Sequence, residues 1–162
     1  MIARSLLLLT LAFLALGAEP SPSASTPPQR PGPRLVKVLP HYLDANGRHT
    51  LGPSLFDRDA YQYQLRQDAT LRTALRFDVQ CRIPPGAERD LTLRVELRGS
   101  GAPRPSPILV EAPLNPRQSY APWTRLLLSQ EQFAALGDLM AWKITLLDPQ
   151  GNPLASQQSF LW

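Results

Sequence analysis

The sequence predicts a mainly-β domain in which two antiparallel sheets pack face to face. Two observations carry the prediction: apolar residues recur at every second position in several separate segments, and proline- or glycine-rich loops punctuate them. A third is size. Past residue 34 the chain has 128 residues, enough for one core without disulfides.

The clearest strand is 74–82, where Leu75, Phe77, Val79 and Cys81 alternate with Arg76, Asp78, Gln80 and Arg82. Leu91, Leu93, Val95 and Leu97 alternate in the same way with Thr92, Arg94, Glu96 and Arg98. Met140, Trp142, Ile144 and Leu146 form a third apolar row opposite Ala141, Lys143 and Thr145. Period two puts each row on one side of a pleated strand, so each is expected to face a core. Shorter runs at 35–39, 108–112 and 123–128 add three strands. Residues 154–162 are expected to pair back across Asp148-Pro149-Gln150-Gly151-Asn152, with Pro and Gly where a turn wants them. The total is about seven strands.

Two short helices interrupt them. Ser129 followed by Gln132 is a capping box, Phe133 and Leu136 give an apolar side, and Gly137 can end the helix. Another helix runs from about Leu55 to Arg66, with Ser54 as its cap and Asp57 in its first turn. On it Phe56, Ala60 and Tyr63 make one face, and Tyr61 and Leu65 stand four apart, so the helix is expected to lie against a sheet.

Strands with short connections, and a helical turn before a long penultimate strand, resemble an immunoglobulin-like or fibronectin-type sandwich over 73–162. The Cys…Trp…Cys signature is missing, so the resemblance implies a fold and no functional residues. The stretch LPHYLDANGRHTLGPSLFDRDAYQ (39–62), with the closing SFLW, is also similar to exported bacterial proteins that carry no assigned activity.

The first 34 residues read differently. Met1 to Arg4 is a short basic start, Leu6 to Leu16 is eleven residues with only Thr10 polar, and Ala15 to Ala18 supply small residues for cleavage. That is the pattern of a secretory signal peptide over 1–18. Eleven apolar residues fall short of the roughly 20 that span a bilayer as a helix, so the mature protein is expected to be periplasmic or extracellular with no membrane span. Residues 19–34 contain six prolines and nothing large and apolar, as expected of a disordered linker. Residues 35–162 form the single folded domain.

Charge sets limits on partners. The 17 Lys and Arg against 13 Asp and Glu leave +4, and the basic residues fall among acids all along the chain. No basic stripe tracks a phosphate backbone, so nucleic acid is not an expected partner. The lone Cys81 shares parity with Leu75, Phe77 and Val79 and is expected to be a buried, inert core residue.

The candidate chemistry is sparse. His41 and His49 flank Asp44, Asn46 and Gly47, and two imidazoles with a carboxylate could hold zinc if a turn folded them together. Alternatively, Asn46-Gly47 reverses a hairpin and the histidines stand on neighbouring strands. Asp44-Ala45-Asn46-Gly47 also resembles the start of a calcium loop, but Leu55 occupies the twelfth position where that loop needs Glu. There is no G-x-S-x-G elbow, H-E-x-x-H or phosphate loop. Asp57 and Asp59 are two apart on a helix and point in different directions. No cofactor and no catalysis are expected.

Aromatics remain. Trp142 follows its strand's apolar row, whereas Tyr120 and Trp123 lie in or beside a proline-flanked loop and are the candidate contact surface. The reading is an exported protein-binding or structural module of the cell envelope. A carbohydrate-binding module using exposed rings is the alternative. Phe160 and Trp162, alternating to the terminus, also suit an outer-membrane barrel, against which stand the capped helices and the many prolines.

Overall fold

The computed structural model describes residues 32–87, 90–101, 106–114, 121 and 123–162. The signal-peptide reading and most of the linker fall outside these residues, as does Tyr120.

Seven strands and two helices follow in the order β1 (Arg34–Leu43), α1 (Leu55–Gln67), a short 3-10 turn (Ala69–Leu71), β2 (Ala74–Arg82), β3 (Leu91–Gly99), β4 (Ile108–Leu114), β5 (Trp123–Leu127), α2 (Gln130–Leu136), β6 (Leu139–Leu147) and β7 (Pro153–Gln158). The strands form two antiparallel sheets, one ordered β1-β2-β5 and the other β4-β3-β6-β7. Both are open sheets, not the closed ring that a barrel requires.

The alternating rows face each other as the pattern demands. Leu75, Phe77, Val79 and Cys81 of β2 are fully buried, and so are Leu91, Leu93, Val95 and Leu97 of β3 with Ile144 and Leu146 of β6. Register keeps each row on one side: Leu93 lies opposite Leu146, and Val95 opposite Ile144. At 1.5–3 kcal/mol per buried side chain this double layer is the main stabilising term. The polar rows face outward and pair across strands, as in Arg94 with Glu111 at 2.6 Å and Lys143 with Glu96 at 3.8 Å.

Three expectations need correction. β1 runs on to Leu43 through Pro40, further than the 35–39 segment predicts. Pro40 is tolerated because β1 is an edge strand, where a missing N–H breaks no ladder bond. Met140 leaves its apolar row and is exposed, since a register shift between Arg98 and Gly99 turns the start of β6. β7 stops at Gln158. Beyond it the Ser159 amide donates to the Trp142 carbonyl, and the Trp162 amide donates back to Ser159 in a turn, leaving Phe160 outside any strand.

The α2 helix has both halves of its capping box and ends on Gly137 at φ +66°. Gly99 is required beside it: a Cβ there would overlap the Leu136 carbonyl oxygen. The sheets are also tied across the core's end, where the Tyr42 hydroxyl accepts from the Leu139 amide at 3.0 Å and the Arg72 guanidinium lies 4.7 Å over the Tyr42 ring.

Candidate functional site

The segment leaving β1 turns sharply at Asp44. Oδ1 of Asp44 accepts from the backbone amides of Asn46 and Arg48, both at 2.8 Å, while Gly47 takes φ +72°. Oδ2 accepts from Arg48 Nε at 2.9 Å and from the Tyr61 hydroxyl at 2.8 Å. Four donors on one carboxylate hold its pKa down at about 2, the Arg48 backbone bond contributing most. Asp44 is therefore occupied in shaping the turn and anchoring α1.

The chain then folds back so that His49 meets His41, with ring centroids 4.8 Å apart. His41 is on β1, but His49 lies in the loop before α1, so the hairpin with both histidines on strands does not form. The acid facing them is Asp78 of β2, whose Oδ2 is 3.7 Å from His41 Nε2 and 2.8 Å from Arg76 Nη2. Arg76 also reaches His49 Nδ1 at 3.4 Å. The structure thus joins His41 with His49 and places Asp44 in separate hydrogen bonds. Among the described residues, no three His, Cys, Asp or Glu side chains are grouped to hold a metal ion.

This polar cluster sits on the outer side of the three-stranded sheet, under α1. His41 is only 5% exposed, and burial pushes its pKa down to about 4; His49, Arg76 and Arg58 add to that and Asp78 opposes it. His49 is lowered as well, by burial first and then by Arg76. Among the described residues, three buried side-chain atoms have no hydrogen-bond partner: His41 Nδ1, Arg76 Nε and Asp78 Oδ1.

Gln62 explains why α1 lies there. Its Oε1 accepts from the Tyr42 amide at 2.9 Å, and its Nε2 donates to the Tyr42 and His49 carbonyls, each at 2.9 Å. The side-chain amide replaces a neighbouring strand at the free edge of β1 and blunts that edge against other chains. A buried Gln in a surface helix gives no periodic signal, so sequence reading passes over it.

The edge contacts also fix which face of α1 turns inward. Gln62 and Leu65 are buried and Tyr61 is half-buried, as their position on one side of the helix allows. The helix does lie against the sheet, through Tyr61 and Leu65 of the two apolar groupings the sequence shows, while the face of Phe56, Ala60 and Tyr63 turns to solvent: Phe56 is 80% and Tyr63 63% exposed, and Ala60 between them is exposed too. The helix thus carries an unpartnered stripe at i, i+4 and i+7.

Trp123 is 49% exposed on the outer side of β5, opposite Gln80 and in line with Arg125 and Leu127, both exposed. Trp142 packs edge-on to Phe77 at 6.3 Å, and Trp162 lies 4.4 Å under Arg98. Cys81 is buried and its thiol is pushed up to about 12, which leaves it almost wholly un-ionised at neutral pH. The described residues line three notable cavities. One of about 470 Å³ lies at an end of the sandwich among Leu97, Ile108, Leu136, Met140 and Leu161. Two others, of about 200 and 170 Å³, flank α1.

No helix among the described residues is long and apolar enough to cross a membrane. No family model matches the chain, and no curated protein or solved structure matches it.

Proposed function

We propose that this chain is an exported module of the cell envelope that works by docking to a partner protein, without catalysis. The observation that carries the reading is the outward stripe Phe56, Ala60 and Tyr63 on α1. A helix of this size buries one face, and Gln62 and Leu65 already define it. A second apolar face left in water is costly for a monomer and is the form in which helices enter a partner's apolar groove. Export is supported by the basic start and apolar run of the first 18 residues.

The strand order supports an immunoglobulin-like relationship of the fibronectin type. Constant immunoglobulin domains put strands A, B, E and D in one sheet and C, F and G in the other. Lettered in the same order, β1, β2 and β5 here match A, B and E, while the fourth strand pairs with the third and joins the larger sheet. Sandwiches of this kind serve widely as cell-surface modules, which is consistent with docking but assigns no site.

A second reading, glycan binding, rests on Trp123, whose half-exposed ring stands among Gln80 and Arg125 as a stacking surface with polar neighbours. One experiment separates the two. Wild-type protein, a Phe56→Ala/Tyr63→Ala variant and Trp123→Ala are used to draw partners from the exporting cell's envelope fraction, and soluble glycans are titrated against tryptophan fluorescence. Docking predicts a discrete protein partner lost only with the helix variant. Fluorescence quenching by glycan that disappears with Trp123→Ala, with no protein captured, favours the second reading and contradicts the first.

A further inference from the structure

The cavity of about 470 Å³ at the end of the sandwich has Leu97 and Arg98 of β3, Ile108 of β4, Leu136 of α2, Met140 of β6 and Leu161 of the turn after β7 in its lining. Leu97 and Leu136 are buried, whereas Met140 and Leu161 are exposed, so the cavity runs from the core to the surface between apolar walls. Among the described residues that line it, none is acidic, and Arg98 carries the one charge. It takes nothing from α1 and is separate from the Phe56–Tyr63 stripe.

Backbone contacts hold the walls apart. The Gly101 amide donates to the Leu136 carbonyl and the Ser100 amide to the Asp138 carbonyl, each at 3.0 Å, and Gly99 lets β3 lie directly on the end of α2. The register shift between Arg98 and Gly99 turns Met140 out of the core row and into the lining. Two large apolar side chains therefore stand in water at the mouth of a fixed apolar cavity. Its volume of about 470 Å³ falls in the range of about 300–1,000 Å³ found for small-molecule sites. An apolar cavity of about 150 Å³ holds benzene, so this one admits a chain on the order of a dozen carbons.

Arg98 gives the cavity a polar end. Its guanidinium lies 4.4 Å over the Trp162 ring, a contact that steadies the side chain and offers its N–H groups no acceptor oxygen. Its neighbour across the ladder is Ala141, and among the described residues no acid pairs with it. A planar fork of N–H donors matches a carboxylate, which it binds through two parallel hydrogen bonds. We propose that this cavity binds one fatty acid, with the hydrocarbon chain between Leu97, Leu136 and Met140 and the carboxylate on Arg98. Burial of the chain supplies the affinity, and the arginine selects an anionic head over a cationic one. The site does not depend on the docking role.

The test titrates sodium dodecanoate, below its micelle concentration, into the full chain at pH 7.5 by calorimetry, with dodecylammonium and acetate as separate probes of chain and head. Dodecanoate is expected to bind saturably, one per chain, and about tenfold or more tightly than dodecylammonium, while acetate gives no saturable heat. Arg98→Gln is expected to weaken dodecanoate about tenfold and to remove its advantage over dodecylammonium. Ala135 lines the cavity from an exposed position of α2, so Ala135→Trp should fill the cavity, leave urea unfolding unchanged and abolish binding. Arg94→Gln, on the same strand but outside the lining, removes the same charge and should bind dodecanoate as the wild type does. No saturable binding of dodecanoate, equal affinity for dodecylammonium, or undiminished binding by Ala135→Trp would overturn the proposal.

Discussion

Replacing His41 should flatten the acid limb of this protein's stability. In the unfolded chain the imidazole takes up its proton near the ordinary 6.5, whereas in the fold it resists until about 4. Between those values the unfolded state binds more protons than the native state, so stability falls as pH is lowered through the window. The full shift is worth about 3 kcal/mol at 1.36 kcal/mol per pH unit, of which about 2 kcal/mol is already lost at pH 5. The cavity beside the ring is open to solvent, which screens part of this and leaves about 1–2 kcal/mol at pH 5. Urea unfolding at pH 8, 6.5 and 5, in buffers free of carboxylates, gives the slope directly. His49 acts in the same direction, so wild type should lose stability a little faster than His41 alone requires. Asp44 begins to add its own loss only below about 3.8, as its carboxylate is protonated toward 2. The His41→Asn variant should lose about 1–2 kcal/mol less than wild type between pH 8 and 5. Parallel curves for the two proteins would refute a buried neutral imidazole at this position.

Other expected outcomes test the frame around that site. Gln62→Ala strips the Tyr42 amide and carbonyl of their partners at the edge of β1 and should cost about 2–4 kcal/mol in urea unfolding; a cost below about 0.5 kcal/mol would deny Gln62 its edge-protecting role. Cys81 should resist an aromatic disulfide reagent in the native state and react at once in denaturant, since its thiol is buried and almost un-ionised. Gly99→Ala should destabilise by about 1–3 kcal/mol, because its methyl meets the Leu136 carbonyl at the end of α2. A neutral Gly99→Ala would mean that β3 and α2 do not approach as closely as described.

The sandwich was legible in the sequence wherever one face of a strand is greasy and the other charged. Residues 74–82 alternate without a fault, and β2 has those bounds. α2 was readable from its caps, since Ser129, Gln132 and Gly137 each have a local reason to be there. What escaped was decided by distant partners. The full length of β1 depends on Pro40 lying on an edge, which no local pattern states. The orientation of α1 turns on Gln62 finding the backbone of Tyr42, twenty positions earlier, and this outweighs the pull of Phe56 and Tyr63 toward the sheet. At the polar cluster, His41 and His49 were visible as a pair. Their acid is Asp78, which β1–β2 pairing brings near from 37 positions away, while the nearer Asp44 is consumed by its own turn.

The docking claim is tested most directly by placing a photo-activated cross-linking residue at position 63, on the outward stripe of α1, and separately at position 154 on β7 of the opposite sheet, in the exporting cell. Both sites are exposed, so accessibility alone would label them alike. A discrete protein adduct that forms only from position 63, and is lost when Phe56→Ala is added, is the predicted result. Adducts of equal yield from both positions, or none from position 63, would contradict it.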